Sequence, residues 1–203
     1  MNAVKKGPSK CEIREVGPEC LHTYSKIPIS FTVESIYQIK LEGHGLGGFK
    51  FVKEKIKPYV KDYDRLELSG EGPLAWAKEF DVRAWGFLMA FFQDIPCGAA
   101  TIAIHTPGVL MLEGRSDLAV LWDLRVHPER RGKGIGKKLF KHSLAWAKGR
   151  GCSQMKIETQ NINLPACRFY ARMGCELGAV HRYAYRNTPD LAREAMLLWY
   201  IDL

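Results

Sequence analysis

Asp123-Leu-Arg-Val-His-Pro-Glu-Arg-Arg-Gly-Lys-Gly-Ile-Gly-Lys-Lys-Leu139 carries an apolar strand into a basic, glycine-rich turn and then into a helix. That order builds an anion cradle. Glycines at 132, 134 and 136 let the backbone of the turn approach a ligand closely and aim several N–H groups at it. The helix that starts near Gly134 adds the positive end of its dipole at the same point. Arg130, Arg131, Lys133, Lys137 and Lys138 surround the turn with charge, so a pyrophosphate is the guest that suits it best.

Two phosphate loops are excluded by spacing. A Walker loop needs Gly-Lys followed by Ser or Thr to hold magnesium, and here Gly136-Lys137 is followed by Lys138. A dinucleotide fingerprint needs a third glycine, and its place is taken by Lys137 in one frame and Leu139 in the other. What remains, Arg131-x-x-Gly134-x-Gly136, resembles the acetyl-CoA signature of the GNAT superfamily of N-acetyltransferases.

The composition agrees with an α/β enzyme. A chain of 203 residues with 46% hydrophobic content can bury a sizeable core as one domain spanning 1–203, with 1–10 expected to be a flexible tail. The formal charge of +8 suits a polyanion or a phosphorylated ligand. Positive residues cluster in 5–10, 50–61 and 130–141, and only the last cluster sits on an anion site. Six cysteines show no C-x-x-C pair and no histidine spacing that would ligate zinc, so no metal is expected. The absence of a signal-peptide core or a long apolar run points to a soluble cytoplasmic protein that binds no membrane, monomeric or homodimeric.

Along the chain, 11–16 reads as a short strand and 21–27 as a helical turn, while 31–41 and 49–57 read as a hairpin around a glycine-rich turn. Residues 58–72 read as a polar loop carrying Asp62, Asp64, Glu67 and Glu71. A short helix over 74–80 follows Pro73. Strands at 85–92 and 99–105 are joined across 93–98. The segment 118–126 is apolar on both faces and reads as a central strand. A helix over 134–148 is stopped by Gly149 and Gly151. Strand 155–159, helix 165–173 and strands 177–185 and 194–201 complete the pattern.

A second stretch, Ile157-Glu-Thr-Gln-Asn-Ile-Asn-Leu-Pro-Ala-Cys-Arg-Phe-Tyr-Ala-Arg-Met-Gly174, supports the same resemblance independently. GNAT enzymes place an Asn after a strand, then a helix carrying Phe-Tyr, then a Gly; Asn163, Phe169-Tyr170 and Gly174 match. The resemblance implies a mixed central sheet, flanked by helices and splayed between two parallel strands that end near Val126 and Thr159, with a thioester entering the gap. Acetyl-CoA is then the co-substrate. Asn163 would bond its pantetheine arm, and Leu124, Arg125, Val126 and the segment Arg131–Lys137 (Gly132, Lys133, Gly134, Ile135 and Gly136 within it) would hold the rest.

In the implied reaction an amine attacks the acetyl carbonyl. Tyr170 would protonate the departing thiolate. A carboxylate would take the amine's proton, directly or through a water, where burial raises its pKa towards neutrality; Glu158 and Asp123 both qualify. Backbone N–H groups near Leu124 or Val126 would hold the developing oxyanion. A cysteine nucleophile is disfavoured, because neither Cys167 nor Cys152 has a histidine at predictable range.

Further segments are similar to streptothricin acetyltransferases: Ile29-Ser-Phe-Thr-Val33, Pro58-Tyr-Val-Lys-Asp-Tyr-Asp64, Trp85-Gly-Phe87, Cys175-Glu-Leu-Gly178, Arg182-Tyr183 and Leu198-Trp-Tyr200. That resemblance implies a small cationic amine as substrate, received by an acidic cleft of the protein in which Asp62 and Asp64 supply charge and Trp85 or Tyr183 stacks on the cation. Three other functions remain to be separated from it. A protein N-acetyltransferase would need an open peptide groove, and a non-catalytic acyl-CoA binder would have no use for Tyr170 and two carboxylates. A nucleic-acid module would need aromatic stacking beside helix 134–148, and none accompanies the charge.

Overall fold

The computed structural model describes residues 11–65 and 72–203. Strands β1 (Glu12–Val16), β4 (Gly86–Phe92), β5 (Ile95–Ala103), β6 (Leu118–Val126), β7 (Gln154–Gln160), β8 (Glu176–His181) and β9 (Met196–Asp202) form one sheet, in the order β1-β4-β5-β6-β7-β9-β8. Only β6 and β7 run parallel. They are joined by helix α3 (Ile135–Lys148), since parallel neighbours need a crossover. Strands β2 (Phe31–Leu41) and β3 (Phe49–Lys61) pair separately as a hairpin.

The central strands are apolar on both faces because each face carries helices. On one, Leu88, Ala100, Ile102, Ala119 and Leu121 pack under α3 and under α4 (Leu164–Arg172). On the other, Phe87, Met89, Ala99 and Val120 pack beneath α1 (Leu21–Tyr24) and α2 (Pro73–Glu79). The packing face of α3 is formed by Ile135, Leu139, Phe140 and Trp146, all buried, with Leu144 at the margin.

Three element boundaries differ from the sequence reading, each for a local reason. β3 continues through Pro58 to Lys61. The pairing steps from Val33–Tyr59 to Ser35–Lys55, and the residues skipped on β3 include the proline, which needs no ladder hydrogen bond there. The β4–β5 connection is a two-residue turn, with both Gln93 and Asp94 at positive φ, rather than a six-residue loop. β8 stops at His181, after which the chain folds into successive turns held by Arg186 N–H to Tyr183 O and Thr188 N–H to Tyr185 O. The expected tail over 1–10 and the acidic residues Glu67 and Glu71 lie outside the described residues. Among the described residues, no helix is long and apolar enough to cross a membrane, and no group of three or more His, Cys, Asp or Glu side chains could hold a metal ion.

Candidate functional site

Parallel pairing between β6 and β7 begins at Leu118–Gln154 and ends at Leu121–Ile157, although both strands continue. A bulge on β6 coincides with the separation: Leu121 faces Ile102 and Asp123 faces Thr101, leaving Trp122 as the extra residue. The strands part beyond this point, and a cavity of about 1290 Å³ fills the opening. Its lining draws on both faces of the sheet. Ile135, Phe169 and Tyr170 come from the α3/α4 side, and Trp76 and Phe80 from the α1/α2 side.

One end of the cavity is the glycine turn. Gly132 and Gly134 have φ of 75° and 78°, a left-handed backbone that side chains rarely adopt. Gly134 caps α3 without a side chain of its own, and among the described residues no side chain bonds the N–H groups of the first turn, which leaves them for a ligand. A Cβ at Gly132 or Gly134 would have no atom within 4 Å, so each is required by its backbone angle rather than by crowding. A diphosphate fits this donor set: exposed N–H groups at a helix start, with Arg130, Arg131 and Lys137 lining the same cavity.

The basic side chains are not all free for it. Arg131 donates from Nε to Val126 O at 3.0 Å and from Nη2 to Ser30 O at 2.9 Å, fastening the end of β6 to the segment before β2. Lys133 reaches Glu129 O at 3.2 Å. Arg125 lines the cavity, but its side chain is 1% exposed and its guanidinium is taken up by protein acceptors. Its guanidinium donates to both oxygens of Asp123 at 2.9 and 2.7 Å, to both of Asp64 at 2.7 and 3.2 Å, and to Ile27 O at 3.2 Å. Tyr24 adds its hydroxyl to Asp123 at 2.7 Å and its ring beneath the guanidinium. Both carboxylates of this cluster are therefore bound in place.

Tyr170 projects into the opposite wall from α4. It is 6% exposed, and its ring touches Phe140 and Phe169 edge-on at centroid distances of 5.7 and 5.1 Å. Burial, reinforced by the charge of Asp123, holds its phenol far above the ordinary range, so it stays protonated at any working pH. Among the described residues, no hydrogen-bond partner occupies that hydroxyl. Asn163 caps α4, its Oδ1 accepting from Ala166 N–H at 3.2 Å while the residue lines the cavity.

Glu158 faces the cavity from β7. Its Oε1 accepts from Gln160 Nε2 at 3.0 Å and from the Tyr185 hydroxyl, and Gln160 also donates to Tyr185 at 3.0 Å. Burial and the adjacent Glu158 charge keep Tyr185 neutral, and hence a donor. Sequence reasoning missed Tyr185, because the turns of 182–195 carry no periodicity. The segment is anchored by Asn161, which bonds Ala195 N–H and Tyr37 O, and by a buried ion pair of Lys61 and Glu194 at 2.6 Å.

The substrate residues expected from sequence separate. Asp64 lines the cavity, but Asp62 instead pairs with Arg65 and with Asp64 N–H. Trp85 is 6% exposed in the aromatic core with its indole N–H on Thr106, and Tyr183 is 61% exposed beside Arg182; neither lines the cavity. Trp122, Trp76 and Phe80 line the cavity from the α1/α2 face of the sheet. Cys167 hydrogen-bonds Thr159 and Gln160 O, and burial raises its thiol and pushes that of Cys175 up to about 12, which disfavours the thiolate a nucleophile needs.

The comparisons with known proteins agree with this geometry. Residues 52–175 match the model of the acetyltransferase (GNAT) family. The chain is 28% identical over 171 residues to a streptothricin acetyltransferase of Escherichia coli, covering 84% of each chain. It is 28% identical over 155 residues to streptothricin acetyltransferase A of Bacillus subtilis, covering 76% of this chain and 80% of the other. Among solved structures it superimposes on a nourseothricin acetyltransferase with a TM-score of 0.73 at 21% identity, covering 95% of this chain and 98% of that one. A Bacillus anthracis structure assigned as a streptothricin acetyltransferase, in complex with acetyl coenzyme A, gives 0.74 at 22% identity, covering 96% and 100%. With two strands parted over a helix-capped glycine turn and a family match across more than half its length, the chain belongs to the GNAT family of acetyltransferases.

Proposed function

We propose that this enzyme moves an acetyl group from acetyl-CoA to a primary amine of a small cationic molecule, a streptothricin-type antibiotic being the substrate to which its relatives point. The observation that carries the reading is the placement of Tyr170, Glu158 and the glycine turn on the lining of one cavity between parted strands. Acetyl-CoA supplies an activated thioester carbonyl. The N–H groups at the start of α3 and the turn at 131–137 bind its diphosphate, and the free edge of β6 beyond Leu121 offers backbone donors to the carbonyl oxygen. Tyr170 gives its proton to the departing sulfur.

Glu158 takes the proton from the attacking amine. Tyr185 and Gln160 fix its Oε1, so the carboxylate is held in one orientation. Asp123 is the weaker candidate: Tyr24 and Arg125 together bond both its oxygens. Its place in the cluster suits holding the bulged end of β6.

Substrate identity is tested by incubating the protein with acetyl-CoA and a streptothricin and analysing the antibiotic by mass spectrometry. One added acetyl group on its β-lysine amine supports the reading. An unmodified antibiotic, under conditions where another amine is acetylated, removes the antibiotic and leaves the acetyltransferase.

A further inference from the structure

The cavity is electrically divided. Arg130, Arg131, Lys137 and Arg172 line it around the glycine turn and the end of α4; on the wall of α2 and the β6 bulge, Arg125 is the cation among the described lining residues, already shared by Asp64 and Asp123, and Lys78 of α2 is not part of the lining. On that wall Glu79, the last residue of α2 and exposed at the cavity mouth, has no hydrogen-bond or ion-pair partner among the described residues. Beside it in sequence is Phe80, whose ring meets Trp122 edge-on at 5.4 Å and stacks on Trp85 at 5.7 Å. Trp76 lies behind, 6.4 Å from Trp85.

This aromatic wall is fixed in place. Trp85 is anchored by its indole N–H to Thr106 Oγ1 at 2.8 Å, and that hydroxyl donates to Ile104 O at 2.7 Å. Trp122 is turned to the cavity because it is the extra residue of the β6 bulge. Rigid π-faces beside an unpaired carboxylate are the chemistry that recognises an ammonium or guanidinium group. Glu158 and Tyr185 belong to the other side of the splay, on β7 and the turns after β8. A cation held at Glu79 is therefore not the amine that Glu158 deprotonates.

We infer that Glu79, Phe80 and Trp122 form a second cation subsite, so that the preferred acceptors are molecules with two positive groups, one acetylated at Glu158 and the other held at the aromatic wall. This rests on the acetyl-transfer reading above and adds a specificity determinant to it. Asp64 contributes little to it, since Arg125 offsets its charge.

The test measures release of CoA thiol by the full-length protein from acetyl-CoA, with diaminobutane, diaminohexane or diaminooctane as acceptor, each against the amino alcohol of the same length. The wild type should favour at least one diamine by about tenfold or more in kcat/KM, the loss of one ammonium partner leaving the neutral hydroxyl in its place. Glu79→Gln should reduce that ratio several-fold, Glu79→Asp should retain part of it, and Phe80→Leu should also lower it. Equal kcat/KM for every pair, or a ratio indifferent to Glu79→Gln, overturns the subsite while leaving acetyl transfer intact. Absence of thiol release from all of these acceptors while a streptothricin is acetylated overturns the subsite and leaves acetyl transfer intact; absence from the streptothricin as well overturns the acetyl-transfer reading and the subsite with it.

Discussion

A tyrosine on a helix is usually a packing residue, and Tyr170 does pack against Phe140 and Phe169. What distinguishes it is an unoccupied hydroxyl on the cavity lining, held neutral by burial. Tyr170→Phe should therefore lower kcat by about 10²–10⁴-fold with little change in acetyl-CoA affinity, as measured by steady-state kinetics and calorimetry. Near-normal turnover with chemistry rate-limiting would return the residue to packing. Glu158→Gln should depress turnover at neutral pH and recover partly as pH rises, because more of the amine is then already deprotonated and needs no base. Asp123→Asn should show no such recovery, since both oxygens of Asp123 are engaged by Tyr24 and Arg125. Residues in regular elements beside a motif were legible in the sequence: Glu158, Asn163 and Tyr170 all reach the cavity. Tyr185 was not, because its approach to Glu158 depends on turns between β8 and β9. Nor was the presence of Trp122 rather than Trp85 on the cavity lining, which accompanies a single bulge that leaves no trace in the pattern of apolar residues.

At the scale of elements, the turn before α3 works through its backbone. Gly134→Val places a β-branched residue at a φ of 78°, so the turn must rearrange and misalign its N–H donors although no side chain clashes. Acetyl-CoA affinity should fall by about tenfold or more while the far-ultraviolet circular dichroism stays unchanged; unchanged affinity in calorimetry would misplace the cradle. The spacing of the glycines announced this turn, since left-handed backbone has few other solutions. The ion pairs of the Arg125 side chain were hidden, because they depend on its burial between Asp64 from a distant part of the chain and Asp123 from a neighbouring strand position. Its pairing with Asp64 ties the segment after β3 to the parted end of β6. Asp64→Asn should cost about 1–3 kcal/mol in urea unfolding, in line with losing a charge-assisted hydrogen bond to a buried guanidinium that keeps one other carboxylate. A change of only a few tenths would mean that the pair does not hold that segment.

Over the whole molecule, the sheet brings two unlike ligands together by parting at one place. Helices on both faces keep the central strands dry, so the interruption of β6–β7 pairing is where a cavity can run between the two hydrophobic cores. Its basic end suits a diphosphate and its acidic, aromatic end suits an amine. The most direct measurement is release of CoA thiol by the purified wild-type protein from acetyl-CoA, with and without an amine acceptor, across a panel that includes a streptothricin. Thiol release should depend on both protein and amine, saturate with each substrate and match the acetylated product mole for mole. Release that is independent of every amine, or none above the rate without protein, would contradict acetyl transfer.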